Sequence, residues 1–206
     1  YQAMSLALPE YGFIGHGRYE SFSGESCRIA YKKSVFILCT QDTFWLSPTP
    51  YIPASRFEGQ SDCPRICNVI RARHKETNKI FRIFNTHLDH VGAEARKNGL
   101  KLIIERISEI NAKGYPVVLV GDFNMKPSAP ELKDLDACMK SARKVALTTD
   151  SHQTFNDWGK AKADMIIDYI YISGFSSCLE YQTVTKRYSD RTFISDHYPI
   201  TARLIF

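Results

Sequence analysis

The run Val117-Val118-Leu119-Val120 constrains this chain more than any other. Four apolar residues in a row, set between Pro116 and Gly121-Asp122, read as a strand with neither face left to water. Such a strand needs a layer on each side, so the fold has to be built around it. Just upstream, the segment from Ala93 to Lys113 places Leu100, Ile103, Ile104, Ile107 and Ile110 at helical spacing, and Gly114 follows where a C-terminal cap belongs. That helix supplies one of the two covers.

The remaining elements are mostly strands. Arg65 to Arg73 pairs with Ile80 to Thr86 across the polar turn Lys75-Glu76-Thr77-Asn78-Lys79, and Cys27 to Tyr31 with Val35 to Cys39 across Lys32-Lys33-Ser34, so two antiparallel hairpins are predicted. Met165 to Ser173 is strand-like, and Ile200, Ala202, Leu204 and Phe206 alternate with Thr201 and Arg203 at the period of a half-solvated strand. Ser128 with Glu131 predicts a capping box opening a short helix whose apolar stripe is Leu132, Leu135 and Met139. From Lys144 to Ala163 the composition turns polar and irregular, with Phe155 and Trp158 read as packing anchors of that loop or, as the alternative, as the lining of a site rim. Strands and helices mix without strict βαβ alternation. This favours an α/β (α+β) architecture of sheets packed on each other with helices outside, over a doubly wound parallel sheet. At 206 residues, 44% hydrophobic and 24% charged, the chain is expected to form a single domain over 1–206.

Charge and cysteines narrow the function. A formal net charge of +5 favours an anionic partner but falls short of the basic tails that bind nucleic acid by charge alone. The basic cluster Arg71, Arg73, His74 and Lys75 falls at a hairpin tip and reads as a solvated turn. Cys27, Cys39, Cys63, Cys67, Cys138 and Cys178 form no CxxC pair, lie mostly in or beside apolar runs, and are expected as buried free thiols over disulfides. No apolar stretch approaches the ~18 to 20 residues of a membrane span. Tyr1 to Pro9 resembles the last turns of an amphipathic helix with no start signal before it, so the chain is expected to be N-terminally incomplete. The compartment stays open: cytoplasm is favoured, and a secreted or periplasmic location requires that an N-terminal signal was removed.

Chemistry concentrates in polar strings at the edges of the apolar runs: Asn85-Thr86-His87-Leu88-Asp89-His90, Gly121-Asp122-Phe123-Asn124 and Ser195-Asp196-His197. Asp168 stands inside the stretch Met165 to Ser173, with Ile166, Ile170 and Ile172 as expected same-face neighbours, and a carboxylate so placed needs a partner. The plain reading is a structural hydrogen bond to a nearby backbone group or arginine; the sharper one makes His197 the partner, its tautomer fixed and its basicity raised by the aspartate. Asp122 and Asn124 can together orient a water and a phosphate oxygen. Carboxylates, a carboxamide and imidazoles at strand ends suit a hard divalent cation set against a phosphate.

These motifs, with Ile167-Asp168-Tyr169-Ile170 and Ser195-Asp196-His197-Tyr198-Pro199 in the same order, resemble the endonuclease/exonuclease/phosphatase superfamily, the deoxyribonuclease I-like fold. Leu8-Pro9-Glu10-Tyr11-Gly12-Phe13 and Thr43-Phe44-Trp45-Leu46-Ser47 further resemble its small bacterial members. The resemblance implies a four-layered sandwich of two packed, mainly antiparallel sheets flanked by helices, in a Mg2+- or Mn2+-dependent hydrolase of phosphate esters: a phosphodiesterase, nuclease or phosphatase. It implies that Asp122 activates the attacking water, that Asn124 orients it and the phosphate, and that His87 contacts the phosphate or acts in proton transfer. Asp196 joins Asp122 as a metal ligand, and His197, paired with Asp168, binds the scissile phosphate; Arg65 is a further phosphate contact.

Members of this family carry, near the N-terminus, a strand bearing an asparagine and a strand ending in Gln-Glu whose glutamate is a principal metal ligand. Neither occurs here, and Glu10, Glu20 and Glu25 fall in the wrong context to substitute. The expectation is a fragment of a longer active protein that alone binds metal weakly and turns over slowly. One rival is a non-catalytic binding domain of the same fold. A second comes from the window Asn85-x-His87-x-Asp89-His90, one ligand short of the zinc-pair signature of metallo-β-lactamase-like hydrolases. The expected partner is a phosphate-ester substrate, with nucleic acid among the options, and the expected state is a monomer. The sequence has no long basic helix and no run of aromatics for stacking bases, so a small phosphate ester competes equally with nucleic acid.

Overall fold

The computed structural model describes residues 2–161, 164–186, 189 and 191–206. In chain order the elements are α1 (Gln2–Ala7), β1 (Tyr11–Ile14), β2 (Ile29–Lys32), β3 (Phe36–Trp45), β4 (Ile66–His74), β5 (Ile80–His87), α2 (Ala93–Ile110) and β6 (Val117–Asp122). There follow α3 (Lys133–Cys138), β7 (Lys140–Ser141), α4 (Ala142–Val145), β8 (Asp168–Ser173), β9 (Ser177–Thr183) and β10 (Ile200–Ile205). Short 3-10 turns cover Pro130–Leu132 and Asp157–Gly159.

Six strands form one large sheet in the order β3-β4-β5-β6-β8-β7. All its neighbours are antiparallel except β5 and β6, which run parallel because the long helix α2 carries the chain back between them. The apolar run thus becomes β6, an interior strand. Val117 and Leu119 enter the cluster made with Leu100 and Ile103 of α2 and with Leu132, Leu135 and Met139. Val118 and Val120 face the other way, onto Ile200, Ala202 and Leu204 of β10. The second sheet layer stands as two two-stranded pieces, β1–β2 and β9–β10. The result is the expected mixed α/β architecture, a large sheet with helices on its outer side and further strands against its inner one.

Several local expectations change. The strands at Cys27–Tyr31 and Val35–Cys39 do not pair with each other: β2 pairs with β1, and β3 with β4. Ten residues of β3, against four of β2, give the second hairpin partner a far longer ladder to join. The capping box at Ser128 is absent, since the 3-10 turn starts from Ala129 without a side-chain cap and Glu131 turns instead to Arg96 of α2 at 3.4 Å. The β4–β5 hairpin, α2 and the alternating β10 appear as expected. Gly114, with φ 64°, adopts the left-handed conformation that closes a helix. Residues 162 and 163, at the end of the polar stretch, lie outside those described, as does Tyr1 of the expected N-terminal helix.

All six cysteines are free thiols; Cys67 and Cys178 are buried, whereas Cys39 and Cys138 are exposed. Among the described residues no helix is long and apolar enough to cross a membrane.

Candidate active site

Backbone register builds the centre of the site. His87, the last residue of β5, lies opposite Asp122, the last of β6, and Asp122 lies opposite Asp168, the first of β8. Three polar residues therefore occupy one rung of the sheet. Side chains on a rung share a face, and along β6 this is the face of Val118 and Val120, toward the second sheet. Asp168 thus opens its strand instead of interrupting it, and Ile166 packs with the opposite, helical-side cluster.

Two neighbours hold this rung in place. Gly121 has φ 148°, and a Cβ built there would sit 1.8 Å from the Thr86 carbonyl oxygen, so only glycine lets β5 and β6 close up beside the site. Fully buried Thr154 accepts the N–H groups of Ile167 and Asp168 on its hydroxyl at 3.0 and 3.1 Å, and its carbonyl accepts Tyr198 N–H at 2.7 Å. One threonine ties the start of β8 to the segment carrying His197.

Each imidazole is held between two carboxylates. His197 Nδ1 lies 2.8 Å from Asp168 Oδ2, and its Nε2 lies 3.8 Å from Asp122 Oδ2. Burial works against the charged ring, but the hydrogen bond and charge of Asp168, with Asp122 and Asp196, raise its pKa above the usual histidine value. His87 repeats the pattern: Nδ1 pairs with Glu25, and Nε2 lies 3.2 Å from Asp122 Oδ2. Burial again opposes, and the hydrogen bonds from Asp122 and Glu25 overcome it and raise the pKa. Asn124, at φ 52°, donates its backbone N–H to Asp122 Oδ1 at 2.8 Å and its side-chain NH2 to the Leu88 carbonyl at 3.0 Å, which aims the same amide at His87 Nε2, also 3.0 Å away.

Glu25 is not in reach of a shared ion, but it pairs with His87. It arrives on a loop between β1 and β2, where no periodic signal marks it. Its carboxyl is held down at about 2 by the hydrogen bond to His87, against burial, with the charges of His87, Arg18 and Arg65 adding to the effect. Arg18 Nη1 lies 2.8 Å from it and Arg65 Nη1 4.0 Å. Arg65 is 4% exposed, its Nε and Nη1 without a hydrogen-bond partner, while Nη2 meets His90 Nδ1 at 2.9 Å. It is therefore a buried cation behind Glu25 and not a residue of the central rung.

Among the described residues, the His, Cys, Asp and Glu side chains close enough to share one ion are Asp122, Asp168 and His197, with ligand atoms within 4.8 Å of one another. Asp196 does not join this group; its Oδ1 accepts the Ser195 hydroxyl at 3.2 Å. Two carboxylates facing each other across a rung fit a hard cation, which needs only one or two carboxylates beside water and substrate oxygens. The zinc-pair window does not assemble. Asp89 is buried and accepts N–H or O–H groups from Ser61, Val91 and Gly92, which hold its carboxyl at about 2 although burial alone would raise it. It anchors the start of α2, and His90 is taken by Arg65. The aromatic pair of the polar loop divides: the Phe155 ring stands edge-on to His197 at 5.0 Å, whereas Trp158 is 54% exposed.

The family model described as endonuclease/exonuclease/phosphatase matches residues 26–197, a span that takes in every element of the rung. The chain belongs to this family. An endonuclease/exonuclease/phosphatase from Bacteroides vulgatus is similar over 98% of this chain and 79% of its own, at 32% identity and a TM-score of 0.90. A mannosyl-6-phosphatase from Bacteroides thetaiotaomicron covers 100% of this chain and 80% of its own, at 29% identity and a TM-score of 0.91. A truncated TDP2 from Caenorhabditis elegans shares the fold at 16% identity, covering 100% of this chain and 79% of its own with a TM-score of 0.76. A search of curated proteins finds no match. This family member therefore has the deoxyribonuclease I-like fold, and its relatives support phosphate-ester hydrolysis as its chemical class.

Proposed function

We propose that this protein hydrolyses a phosphate monoester or diester by in-line attack of water, in the presence of Mg2+ or Mn2+. The supporting observation is the rung His87–Asp122–Asp168 with His197 set between its two carboxylates. Phosphoryl transfer needs charge neutralisation and alignment more than covalent help. Asp122 accepts the proton of the attacking water, and Asn124 orients that water and the phosphate. His197, kept protonated by Asp168, binds the scissile phosphate and stabilises the charge that builds on it. His87 carries its proton toward the same point and serves the phosphate or the departing oxygen. Arg65, buried between Glu25 and Asp89, offsets their negative charge behind the site. Asp122 and Asp168 would supply the carboxylate oxygens for the cation. When bound, a divalent ion neutralises phosphate charge and lowers the pKa of coordinated water.

The likeness to a mannosyl-6-phosphatase at 29% identity supports testing sugar phosphates first. The test is a panel of sugar phosphates, inositol phosphates, nucleotides and nucleic acids, with Mg2+ or Mn2+, on the full chain beside Asp122→Asn. Metal-dependent release of phosphate or of a cleaved ester, lowered at least about 10²-fold in the variant, is the expected outcome. Activity that survives in Asp122→Asn, or no activity on any member of the panel, overturns the proposal.

A further inference from the structure

Asp157, Trp158 and Gly159 follow one another at φ 47°, 54° and 85°. Glycine takes the left-handed region freely and aspartate tolerates it through local hydrogen bonds, but tryptophan has neither advantage. A non-glycine residue held there costs roughly 1–3 kcal/mol and persists only where its surroundings enforce it. Burial does not offset the strain, because Trp158 is 54% exposed. The clamps are visible. Asn156 and Asp157 donate their N–H groups to the Asp196 carbonyl at 2.7 and 3.2 Å, and Asn156 Nδ2 donates to the Ser195 carbonyl at 3.2 Å. Asn156 itself is buried, and its carbonyl accepts the N–H groups of Gly159 and Ala161. Gly159 lies so close to the Phe193 ring that a Cβ there would meet it at 2.7 Å.

Apart from the bonds to the Asn156 carbonyl, these clamps are made to the Phe193–His197 segment, the one that carries the phosphate-binding imidazole. Phe155, three residues before Trp158, bridges to His197 through its backbone and touches its ring edge-on. Trp158, strained and largely exposed, is thus held three residues from Phe155, whose ring touches His197.

We propose that Trp158 is the specificity residue of this site: its indole face stacks on the ring of a cyclic sugar whose phosphate is held at His197. The proposal rests on the hydrolase reading above and names its substrate class. An indole presents a broad apolar face with negative π density, which suits the C–H face of a sugar ring. A single platform beside the phosphate matches one ring, whereas a nucleic-acid strand needs successive platforms along a groove.

The test compares the native chain with Trp158→Ala, Trp158→Phe and Trp158→Asn on a hexose 6-phosphate and on ring-free glycerol phosphate. Asn suits the left-handed backbone, so it keeps the fold if alanine disturbs it. The ratio of KM for hexose phosphate to KM for glycerol phosphate is expected to rise about 10-fold in the alanine and asparagine variants, the scale of one aromatic stacking contact, and to recover in Trp158→Phe. Independently of turnover, titrating hexose 6-phosphate into Asp122→Asn should change the tryptophan emission, which comes from exposed Trp158 and buried Trp45, and the change should vanish when Trp158→Phe is added. An unchanged KM ratio, a flat titration, or a larger effect on nucleoside monophosphates than on hexose phosphate overturns the assignment. A positive titration without hydrolysis of any phosphate upholds stacking while the hydrolase reading fails.

Discussion

Asp122 has an imidazole Nε2 on either side, His87 at 3.2 Å and His197 at 3.8 Å, and each ring is backed by a further carboxylate, Glu25 or Asp168. Such an arrangement makes residues act as units. His197→Ala should lower kcat by about 10²-fold or more with little loss of fold, because the ring sits part-exposed at the rim of the site. Asp168→Asn should act through the same ring, so the double variant should lose scarcely more than His197→Ala alone. Steady-state kinetics of the three variants on a hydrolysed substrate check this, and strictly additive losses would mean that the two residues work separately. Asp122, Asn124, Asp168 and His197 were legible in the sequence because each sits at the end of an apolar run that fixes where the chain must turn. Glu25 was not, since it comes from an irregular loop and reaches His87 only through tertiary folding, 62 residues away in sequence.

At the scale of elements, the contact between β5 and β6 decides whether the site forms. Gly121→Ala would drive a methyl group into the Thr86 carbonyl, 1.8 Å away, and its backbone at φ 148° suits few side chains. We expect a loss of at least about 3 kcal/mol and a collapse of activity together, since β6 cannot move away without taking Asp122 with it. Denaturant unfolding and a kinetic assay on the same sample check the coupling; a stable variant without activity would limit the damage to the site. The elements themselves were readable where a period persisted, as in α2, β4, β5, β6 and β10. Sequence pattern failed at β2, whose four residues carry too little periodicity to name a partner, and at Ser128, where a capping motif stood without the helix start it normally serves. In both places tertiary contacts overrode a short local signal.

Across the whole molecule, stability is concentrated on the large sheet. β4 is buried along most of its length, and Phe84, Leu119, Leu100 and Ile103 join sheet to helix in a solvent-free cluster. By contrast α1 has no buried residue and β1 is half-buried throughout, pairing only with β2. Native-state hydrogen exchange should therefore give the slowest amides in β4, β5 and β6, opening near the global limit, and exchange several orders of magnitude faster in α1 and β1. Equal protection in both regions would show that the small hairpin unfolds only with the rest. The same division bears on how such a molecule can change over generations. Because His87, Asp122 and Asp168 stand abreast on three neighbouring strands, adding one residue within β6 would turn its aspartate to the helical side and leave the other two facing a gap. Loops around the rim of the site are free to lengthen and exchange their side chains, but the strands beneath obey a parity rule, tolerating growth only in pairs.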